Sequence, residues 1–317
     1  MNILVLGKDG QLGKAFKSLF NSLAIPKEVS IEYVGRAECD LGNASELEFL
    51  LVNKNPNLII NASAYTAVDK AESETDLAFA VNAKAPELMA QYAAQNDATL
   101  LHFSTDYVFD GNKSGFYLED DQRNPLGVYG KSKAAGEVAI EKTFANSQRG
   151  QFAILRTSWV YGNGGNFIRT ILRLAKEREE LKIIHDQHGV PTSADWLAQV
   201  SLDLVLDYQF NLRRFSSGIY HAVPAGETTW YELATLVVQV AKNAGIELRV
   251  KAGSIKPILA IDYPLPAPRP MNSRLDRSKL SKALELQGDM SKLDSFNKPW
   301  MTAVEGYVQS LANNGLI

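Results

Sequence analysis

The sequence predicts an α/β fold with a doubly wound parallel sheet, and three observations on residues 1–160 predict it. Short, wholly apolar segments recur here, as expected for parallel strands that are buried on both faces. Helical segments alternate with these strands, which is the pattern of βα units. A glycine-rich turn joins the first strand to the first helix, an arrangement typical of sheets that bind nucleotides.

The first predicted strand covers residues 3–6, and Gly7, Gly10 and Gly13 follow it before a helix over residues 14–23. A glycine-rich turn in this place lets backbone N–H groups approach a pyrophosphate, and the helix N-terminus adds a partial positive charge. The spacing is G-x-x-G-x-x-G and differs from G-x-G-x-x-G. Because the motif directly follows a buried strand near residue 1, it predicts a dinucleotide site.

The second predicted strand, residues 29–34, runs into Gly35 and Arg36 and has no acid at its tip. A carboxylate there would favour NAD through the ribose 2′-hydroxyl, whereas an arginine favours the 2′-phosphate of NADP. We therefore expect NADPH, with NADH as the alternative cofactor, although a solvated side chain explains Arg36 nearly as well. Asp40 and Leu41 border the adenine in one interpretation. In the other, Asp40 begins the turn before a helix over residues 45–53.

Two further predicted strands end at the sheet edge where open α/β sheets bind ligands. Residues 58–65 end in small side chains that leave room for a ligand, and residues 99–103 lead into Ser104, Thr105, Asp106 and Tyr107. Thr105 either hydrogen-bonds a substrate carbonyl as charge develops on it or caps the strand in a Ser/Thr turn. A long helix is expected between these strands, through Asn82 to residue 96. Asn82 either ties that helix to the catalytic loop or is a satisfied buried amide.

Tyr129 and Lys133 are four residues apart at the predicted start of a helix, so both side chains share one helix face. A cation near a phenol lowers its pKa from about 10 toward the working pH. Tyr129 is therefore a candidate proton donor or acceptor. The same spacing also occurs where a surface tyrosine lies beside a solvated lysine. A strand over residues 152–157 continues the sheet, and we predict a Rossmann-type NAD(P)-binding domain over residues 1–160.

The pattern changes after residue 160, and we predict a smaller mixed α/β substrate-binding domain over residues 161–317. A strand at residues 218–223 is expected to return to the first sheet. His185 and His188 lack a further ligand cluster nearby, so we expect no metal site. The predicted helices cover residues 166–180, 193–208, 229–244 and 299–313, with a short strand over residues 181–185.

Composition excludes several classes of partner. The chain has 33 basic and 36 acidic residues and no long basic run, which argues against nucleic acid. Its single cysteine, Cys39, excludes an intramolecular disulfide and suits a reducing cytoplasm. No apolar run reaches the roughly eighteen residues of a membrane span, and the amino terminus lacks the basic flank of a signal peptide. We expect a cytoplasmic protein without a membrane partner.

The chain resembles the extended short-chain dehydrogenase/reductases in its glycine-rich loop, in Ser104–Thr105 and in the Tyr129-x-x-x-Lys133 pair. Within that superfamily it is similar to the dTDP-4-dehydrorhamnose reductases over nearly its whole length. The loop and the tyrosine–lysine pair identify only the superfamily. The segments that carry the narrower resemblance are NASAYTAVDKAE at 61–72, STDYVF at 104–109, RTSWVY at 156–161 and RPMNS at 269–273.

The resemblance implies NADPH-dependent reduction of the C4 ketone of dTDP-4-dehydro-β-L-rhamnose to dTDP-L-rhamnose, a precursor of cell-surface polysaccharide. It implies that Tyr129 is the general acid, that Lys133 lowers the pKa of Tyr129 and holds the nicotinamide ribose, and that Thr105 orients the carbonyl. Implied cofactor contacts are Gly7, Gly10, Gln11, Leu12, Arg36, Asp40, Leu41, Ala62, Ser63, Ala64, Tyr65, Tyr129 and Lys133. Implied substrate contacts are Val68, Thr105, Asp106, Tyr129, Trp159 and an arginine for the diphosphate, either Arg269 or Arg274.

Two alternatives to this function stay open. The first is another nucleotide-sugar 4-ketoreductase, epimerase or dehydratase of the same fold, although a dehydratase would need a glutamate after Asp106. The second is a non-catalytic NAD(P)-binding regulatory subunit, which would not need Thr105, Tyr129 and Lys133 together. Some relatives form a dimer bridged by Mg²⁺ through glutamates, one of them in the first helix. That helix begins here with Lys14-Ala15-Phe16-Lys17, so we predict a monomer or a metal-independent homodimer.

Overall fold

The computed structural model describes residues 1–251, 253–288 and 290–317. The strands, in chain order, are β1 Asn2–Leu6, β2 Ser30–Val34, β3 Leu58–Asn61, β4 Thr99–Thr105, β5 Gln151–Thr157, β6 Val160–Tyr161, β7 Leu181–Ile184, β8 His188–Gly189, β9 Thr192–Ser193, β10 Gly218–His221, β11 Thr228–Thr229 and β12 Ile255–Ile258. The α-helices are α1 Gln11–Ser22, α2 Ala44–Lys54, α3 Val68–Ala71, α4 Thr75–Phe79, α5 Ala85–Gln95, α6 Val128–Ala145, α7 Phe167–Glu177, α8 Ala194–Val205, α9 Trp230–Asn243, α10 Ser278–Glu285, α11 Met290–Phe296 and α12 Trp300–Asn313.

A six-stranded parallel sheet forms the centre of the molecule, in the order β10-β5-β4-β3-β1-β2. The chain runs from β1 to β2 on one side and then crosses to β3 on the other, so the direction of winding reverses between β1 and β3. Ligands of open α/β sheets bind at this reversal, outside the carboxyl ends of the strands. The predicted fold class is confirmed. The division into two domains near residue 160 stays a prediction.

Helices cover both faces of the sheet because successive strand residues point to opposite sides. Ile3 and Val5 of β1 pack in a core cluster with Phe16 of α1 and residues of α8. Leu4 and Leu6 pack in a second cluster, with residues of α2 and α5. A third cluster lies under α7, α9 and α12 in the second half of the chain. The sheet is therefore wound on both faces, as its apolar strands predict.

The long helix predicted through Asn82 is divided into α3, α4, a π-helical turn at Ala80–Lys84 and α5. Asn82 is fully buried, and its side chain bonds the backbone N–H of Tyr65 at 2.8 Å and the Tyr65 carbonyl at 3.0 Å. The same amide donates to Ser132 Oγ of α6 at 3.0 Å. Both interpretations of Asn82 therefore apply, because the satisfied amide also links this turn to the start of α6.

In the second half of the chain, the strand predicted over residues 181–185 is present as β7, but its pairing and the other strands of the two-stranded sheets were not predicted. Three two-stranded pairs form there, β6 with β9, β7 with β12 and β8 with β11. Most of these strands have only two residues, which is too short for a period to be visible. Thr229 begins α9 with a capping box, in which its hydroxyl accepts from the Glu232 N–H at 3.2 Å and Glu232 Oε2 accepts from the Thr229 N–H at 3.0 Å.

Across the described ranges, no helix is long and apolar enough to traverse a lipid bilayer.

Candidate active site

A cavity of about 770 Å³ opens at the carboxyl ends of β1, β3 and β4. The helix starts of α1 and α6 and the segment after β5 complete its wall. The structure brings together in this wall all but one of the site residues that were predicted from sequence. They are Gly7, Gly10, Gln11, Leu12, Arg36, Asp40, Leu41, Ala62, Ser63, Ala64, Tyr65, Val68, Thr105, Asp106, Tyr129, Lys133 and Trp159.

The glycine-rich loop forms a cradle that side chains would fill. Gly7 has a φ of 88°, and a Cβ there would lie 2.6 Å from Ser63 Oγ. A Cβ on Gly13 would lie 2.1 Å from the Gly7 carbonyl oxygen, whereas one on Gly10 would meet nothing closer than 3.4 Å. Gly10 is the N-cap of α1 and supplies no side-chain hydrogen bond to the first turn. The free N–H groups at this helix start suit a diphosphate, so the cradle fits a dinucleotide.

Charged side chains surround the end of β2. The Arg36 side chain is 75% exposed, and its nearest acid is Asp40, at 3.4 Å. Glu38 accepts a hydrogen bond from the Gly35 N–H at 2.9 Å and forms an ion pair with Lys8. Sequence patterns did not single out Lys8 or Glu38, because their proximity depends on how the glycine loop meets the turn after β2. Arg36 is thus a guanidinium held only loosely beside the cavity.

The phenol of Tyr129 lies in the cavity wall on the first turn of α6. Its ring meets that of Tyr107 edge to face, with the centroids 5.4 Å apart. The close approach depends on Gly130, where a Cβ would lie 2.2 Å from the Tyr107 carbonyl oxygen. Burial raises the pKa of Tyr129 to about 12; the Thr105 hydroxyl lowers it and the Asp106 carboxylate raises it. The phenol therefore keeps its proton at neutral pH.

The ammonium of Lys133 is directed toward β4. Its Nζ donates to the Phe103 carbonyl at 2.6 Å and lies 3.3 Å from Nε2 of His102. Burial lowers the pKa of Lys133 to about 8, and the Glu137 carboxylate opposes that change. Burial, the Thr105 hydroxyl and the Asp106 carboxylate set the pKa of Tyr129 in this structure. That Lys133 lowers this pKa, as the resemblance implies, stays a prediction.

Thr105 and Asp106 form a short turn at the end of β4. The Thr105 hydroxyl accepts from the Tyr107 N–H at 3.3 Å and donates to Asp106 Oδ1 at 2.9 Å. Thr105 therefore caps the turn at Asp106–Val108, as one of the two interpretations predicts. Burial raises the pKa of Asp106 to about 6, and hydrogen bonds from Ser273 and Thr105 lower it. The carboxyl thus titrates closer to neutrality than an ordinary aspartate.

Two tryptophans line the same cavity. The Trp159 and Trp230 rings stack with their centroids 3.6 Å apart and their planes 17° from parallel. Trp159 has a φ of 48°, in the left-handed region. A Cβ on Gly189 would lie 2.7 Å from the Trp159 ring, so glycine is needed beneath it. Trp230 was missed from sequence because it begins a helix 71 residues further along the chain.

Arg269 is the predicted site residue that lies outside this cavity wall. Its guanidinium binds both carboxylate oxygens of Asp69, at 2.7 and 2.9 Å. Arg274, the other candidate for the diphosphate, is 3.1 Å from Glu227. A diphosphate contact by either arginine stays a prediction, as does the oligomeric state. Among the residues with described positions, no group of three His, Cys, Asp or Glu side chains is arranged to hold a metal ion.

The fold and the cavity define a class, an oxidoreductase with a doubly wound dinucleotide-binding sheet and a tyrosine and a lysine on one helix face. The family model described as the RmlD substrate binding domain matches residues 1–302. A dTDP-4-dehydrorhamnose reductase of Escherichia coli is 43% identical over 292 residues, which cover 90% of this chain and 93% of that protein. The chain therefore belongs to the dTDP-4-dehydrorhamnose reductase family, and the resemblance seen in the sequence is confirmed.

Two solved structures of the family are similar over almost the whole chain. A dTDP-4-dehydrorhamnose reductase of Clostridium acetobutylicum has a TM-score of 0.82 at 32% identity and covers 98% of this chain and 99% of its own. The enzyme of Bacillus anthracis, solved in complex with NADP, has a TM-score of 0.78 at 29% identity. The match covers 97% of this chain and 98% of that one. Their similarity extends beyond the sheet to the second half of the chain.

Proposed function

We propose that this protein reduces the C4 ketone of dTDP-4-dehydro-β-L-rhamnose with NADPH to form dTDP-L-rhamnose. The observation that carries the proposal is that the glycine cradle, Thr105 and the protonated Tyr129 face one cavity. The names of the relatives supply the substrate, and the NADP in the Bacillus anthracis enzyme supports the choice of cofactor. The alternative of a non-catalytic subunit is set aside, since the family is one of oxidoreductases.

The cofactor would lie along the carboxyl ends of β1 and β3. The backbone N–H groups of Gln11 and Leu12 would bind its diphosphate at the start of α1. The small side chains Ala62 and Ala64 leave room for the dinucleotide between the strands and α6. Arg36, which follows the end of β2, would bind a 2′-phosphate. When bound, NADPH supplies the hydride that reduces the ketone.

Tyr129 is proposed as the proton donor. As the ketone is reduced, negative charge develops on its oxygen, and the phenol transfers its proton to that oxygen. The raised pKa of Tyr129 keeps the proton in place until this charge develops, so the donor is ready over the neutral range. The Thr105 hydroxyl, which lowers the pKa of the phenol, would stabilise the phenolate after transfer by turning its proton from Asp106 Oδ1 to the phenolate oxygen. Thr105 also lines the cavity, and we propose that it orients the carbonyl.

The rest of the cavity wall is proposed to bind the sugar. Aromatic rings suit the apolar surface of a sugar, and the stacked Trp159 and Trp230 both line the cavity. Val68 lines the cavity at the start of α3, and the next residue, Asp69, pairs with Arg269. Asp106 lies behind Thr105. These contacts would choose among 4-keto sugars that differ only in stereochemistry.

The test is NADPH oxidation by the purified protein with dTDP-4-dehydrorhamnose generated in situ, followed by identification of the product by NMR. We expect one NADPH consumed per sugar and dTDP-L-rhamnose as the product. The control substrate is dTDP-glucose, which has no ketone at C4 and is expected to give no oxidation. A product with the opposite configuration at C4, or no oxidation with the ketone, would contradict the proposal.

A further inference from the structure

A buried histidine lies directly behind Lys133 and has no part in the proposed chemistry. His102 is in β4 between apolar neighbours and is fully buried. Its Nδ1 lies 3.0 Å from Nδ2 of Asn61, the last residue of β3, and its Nε2 lies 3.3 Å from Nζ of Lys133. Buried polar side chains are usually hydrogen-bonded for a structural or functional reason. This ring connects the end of β3 to the lysine of the cavity.

The orientation of the Asn61 amide determines where the imidazole proton lies. The Oδ1 of Asn61 accepts a hydrogen bond from the Ser63 N–H at 3.2 Å. The NH₂ group is therefore the part that faces His102, and it donates to Nδ1. A neutral imidazole has one donor and one acceptor nitrogen, so the proton is on Nε2. Burial lowers the pKa of His102, which keeps the ring neutral.

The Nε2–H bond of this tautomer points at Lys133. An ammonium has three donors and no acceptor, whereas the neutral amine has a lone pair that can accept. The His102 proton therefore disfavours the charged lysine and can hydrogen-bond the uncharged one. The Phe103 carbonyl accepts from Nζ in either state, and more strongly from the ammonium, because that hydrogen bond is charge-assisted. The two contacts of the strand thus act in opposite directions: His102 favours the amine and the Phe103 carbonyl favours the ammonium.

The other charged groups around this pair are few. On α6, the Glu137 carboxylate favours the charged form of Lys133, one helical turn away. That carboxylate is already bound by Arg156 of β5 and by Arg123. The group from β3 is the neutral amide of Asn61. The balance at Nζ is therefore set mainly by burial and by the two partners on β4.

We propose that His102 is a positioning residue, held by Asn61 with its proton on Nε2, which places Nζ of Lys133 and favours the uncharged form of that lysine. The consequence for turnover rests on the proposed function, because only a reductase would report Lys133 through its pH profile. The titration of Lys133 itself does not depend on substrate or on activity. The two consequences can therefore be tested separately.

The direct test is an NMR titration of Lys133 in the full-length protein, labelled with carbon-13 at lysine Cε and assigned with the Lys133→Arg variant. His102→Gln replaces the Nε2–H donor by an amide that can turn its oxygen toward Nζ. Asn61→Leu removes the donor to Nδ1, so the imidazole proton is free to move there and Nε2 can accept. Both variants are expected to raise the midpoint of the Lys133 titration by about one pH unit, the equivalent of one hydrogen bond.

A control variant and a direct measurement of the His102 tautomer complete the test. His188→Gln changes an exposed histidine and is expected to leave the midpoint where it is. Nitrogen-15 shifts of His102 in the unsubstituted protein are expected to report protonation at Nε2. A proton on Nδ1 would overturn the proposal even if neither variant folds. A midpoint that stays unchanged in both His102→Gln and Asn61→Leu would also overturn it.

Activity gives a second, separate readout. In the NADPH assay, the alkaline limb of the kcat profile is expected to move with the Lys133 midpoint in each variant. A midpoint that moves while the profile stays fixed would overturn the link between His102 and turnover. If no preparation oxidises NADPH, the proposed function fails, and the NMR titration still decides whether His102 sets the state of Lys133.

Discussion

The side chains of Glu137 and Arg156 form a fully buried, two-pronged ion pair between α6 and β5. Arg156 Nε lies 2.9 Å from Glu137 Oε1 and Nη2 lies 2.7 Å from Oε2. Arg123 donates to the same Oε2 at 2.6 Å. Burial raises the pKa of Glu137, but the bonds and charge of Arg156 outweigh it, and the pKa is lowered overall. Since Lys133 is one turn away, the pair fixes the helix that carries the site to the sheet.

Removing the charge of Glu137 is predicted to destabilise the protein strongly. Glu137→Gln leaves the buried guanidinium of Arg156 without its counter-charge, and such losses cost about 3–5 kcal/mol. The measurement is the free energy of unfolding from urea denaturation. Glu32→Gln is the control, because Glu32 pairs with Lys54 in a partly exposed position and should cost no more than about 1 kcal/mol. Equal losses in the two variants would mean that the buried pair has no special role.

Two glycines of the loop are predicted to respond differently to alanine. Gly13→Ala is expected to destabilise the fold, since its Cβ would meet the Gly7 backbone at 2.1 Å. Gly10→Ala has room within the protein but places a methyl group where the diphosphate should bind. We expect its free energy of unfolding to change by less than about 1 kcal/mol while NADPH binding weakens at least about tenfold. Calorimetric titration and thermal unfolding measure the two effects, and unweakened NADPH binding by Gly10→Ala would place the diphosphate elsewhere.

Asp106 is predicted to make stability depend on pH. Its pKa rises from 3.8 to about 6 on folding because of burial. The native state therefore binds this proton more tightly than the unfolded chain, and stability is lost as the pH rises through that window. The Asp106→Asn variant has no carboxyl at this position, so it does not lose this stability as the pH rises. Its stability relative to the unsubstituted protein should increase by up to about 3 kcal/mol between roughly pH 4 and pH 7. A relative stability that is independent of pH in this range would contradict the raised pKa.

Arg36 is predicted to select NADPH over NADH. A charge-assisted hydrogen bond to the 2′-phosphate contributes about 1.5–3 kcal/mol, so Arg36→Ala should raise the KM for NADPH by about 10- to 100-fold. The KM for NADH should change little, because that cofactor has no 2′-phosphate. Steady-state kinetics with both cofactors measure the effect, and Lys54→Ala serves as a control for the loss of a surface cation. Parallel changes for the two cofactors would remove Arg36 from this role.

Much of the fold could be predicted because its signals are local. The apolar segments of β1, β3, β4 and β5 and the glycine turn can each be recognised from a few consecutive residues. The carboxyl ends of parallel strands share one edge, so the sequence alone predicts that the residues after them line one cavity. The π-helical turn at Ala80–Lys84 could not be predicted, because its Asn82 bonds to residues distant in sequence, Tyr65 and Ser132. The two-residue strands could not be predicted either, because they are too short to show a period.

The electrostatics of the site were the least predictable part. The four-residue spacing places Tyr129 and Lys133 on one face of α6, but it does not determine where Nζ points. The Phe103 carbonyl and His102 bind that group from β4, and burial then dominates the pKa of the phenol. The local signal for this was a histidine within the otherwise apolar start of β4, Leu100 to Phe103.

The most direct test of the account compares two phenols in the same cavity. Tyr129→Phe removes the proposed proton donor, whereas Tyr107→Phe removes a hydroxyl from the ring that meets it edge to face. With NADPH and dTDP-4-dehydrorhamnose, we predict that kcat falls about 10²- to 10⁴-fold in Tyr129→Phe, with NADPH affinity nearly unchanged. The loss in Tyr107→Phe should be much smaller. A Tyr129→Phe protein that turns over as fast as the unsubstituted one would contradict the assignment of Tyr129 as the acid.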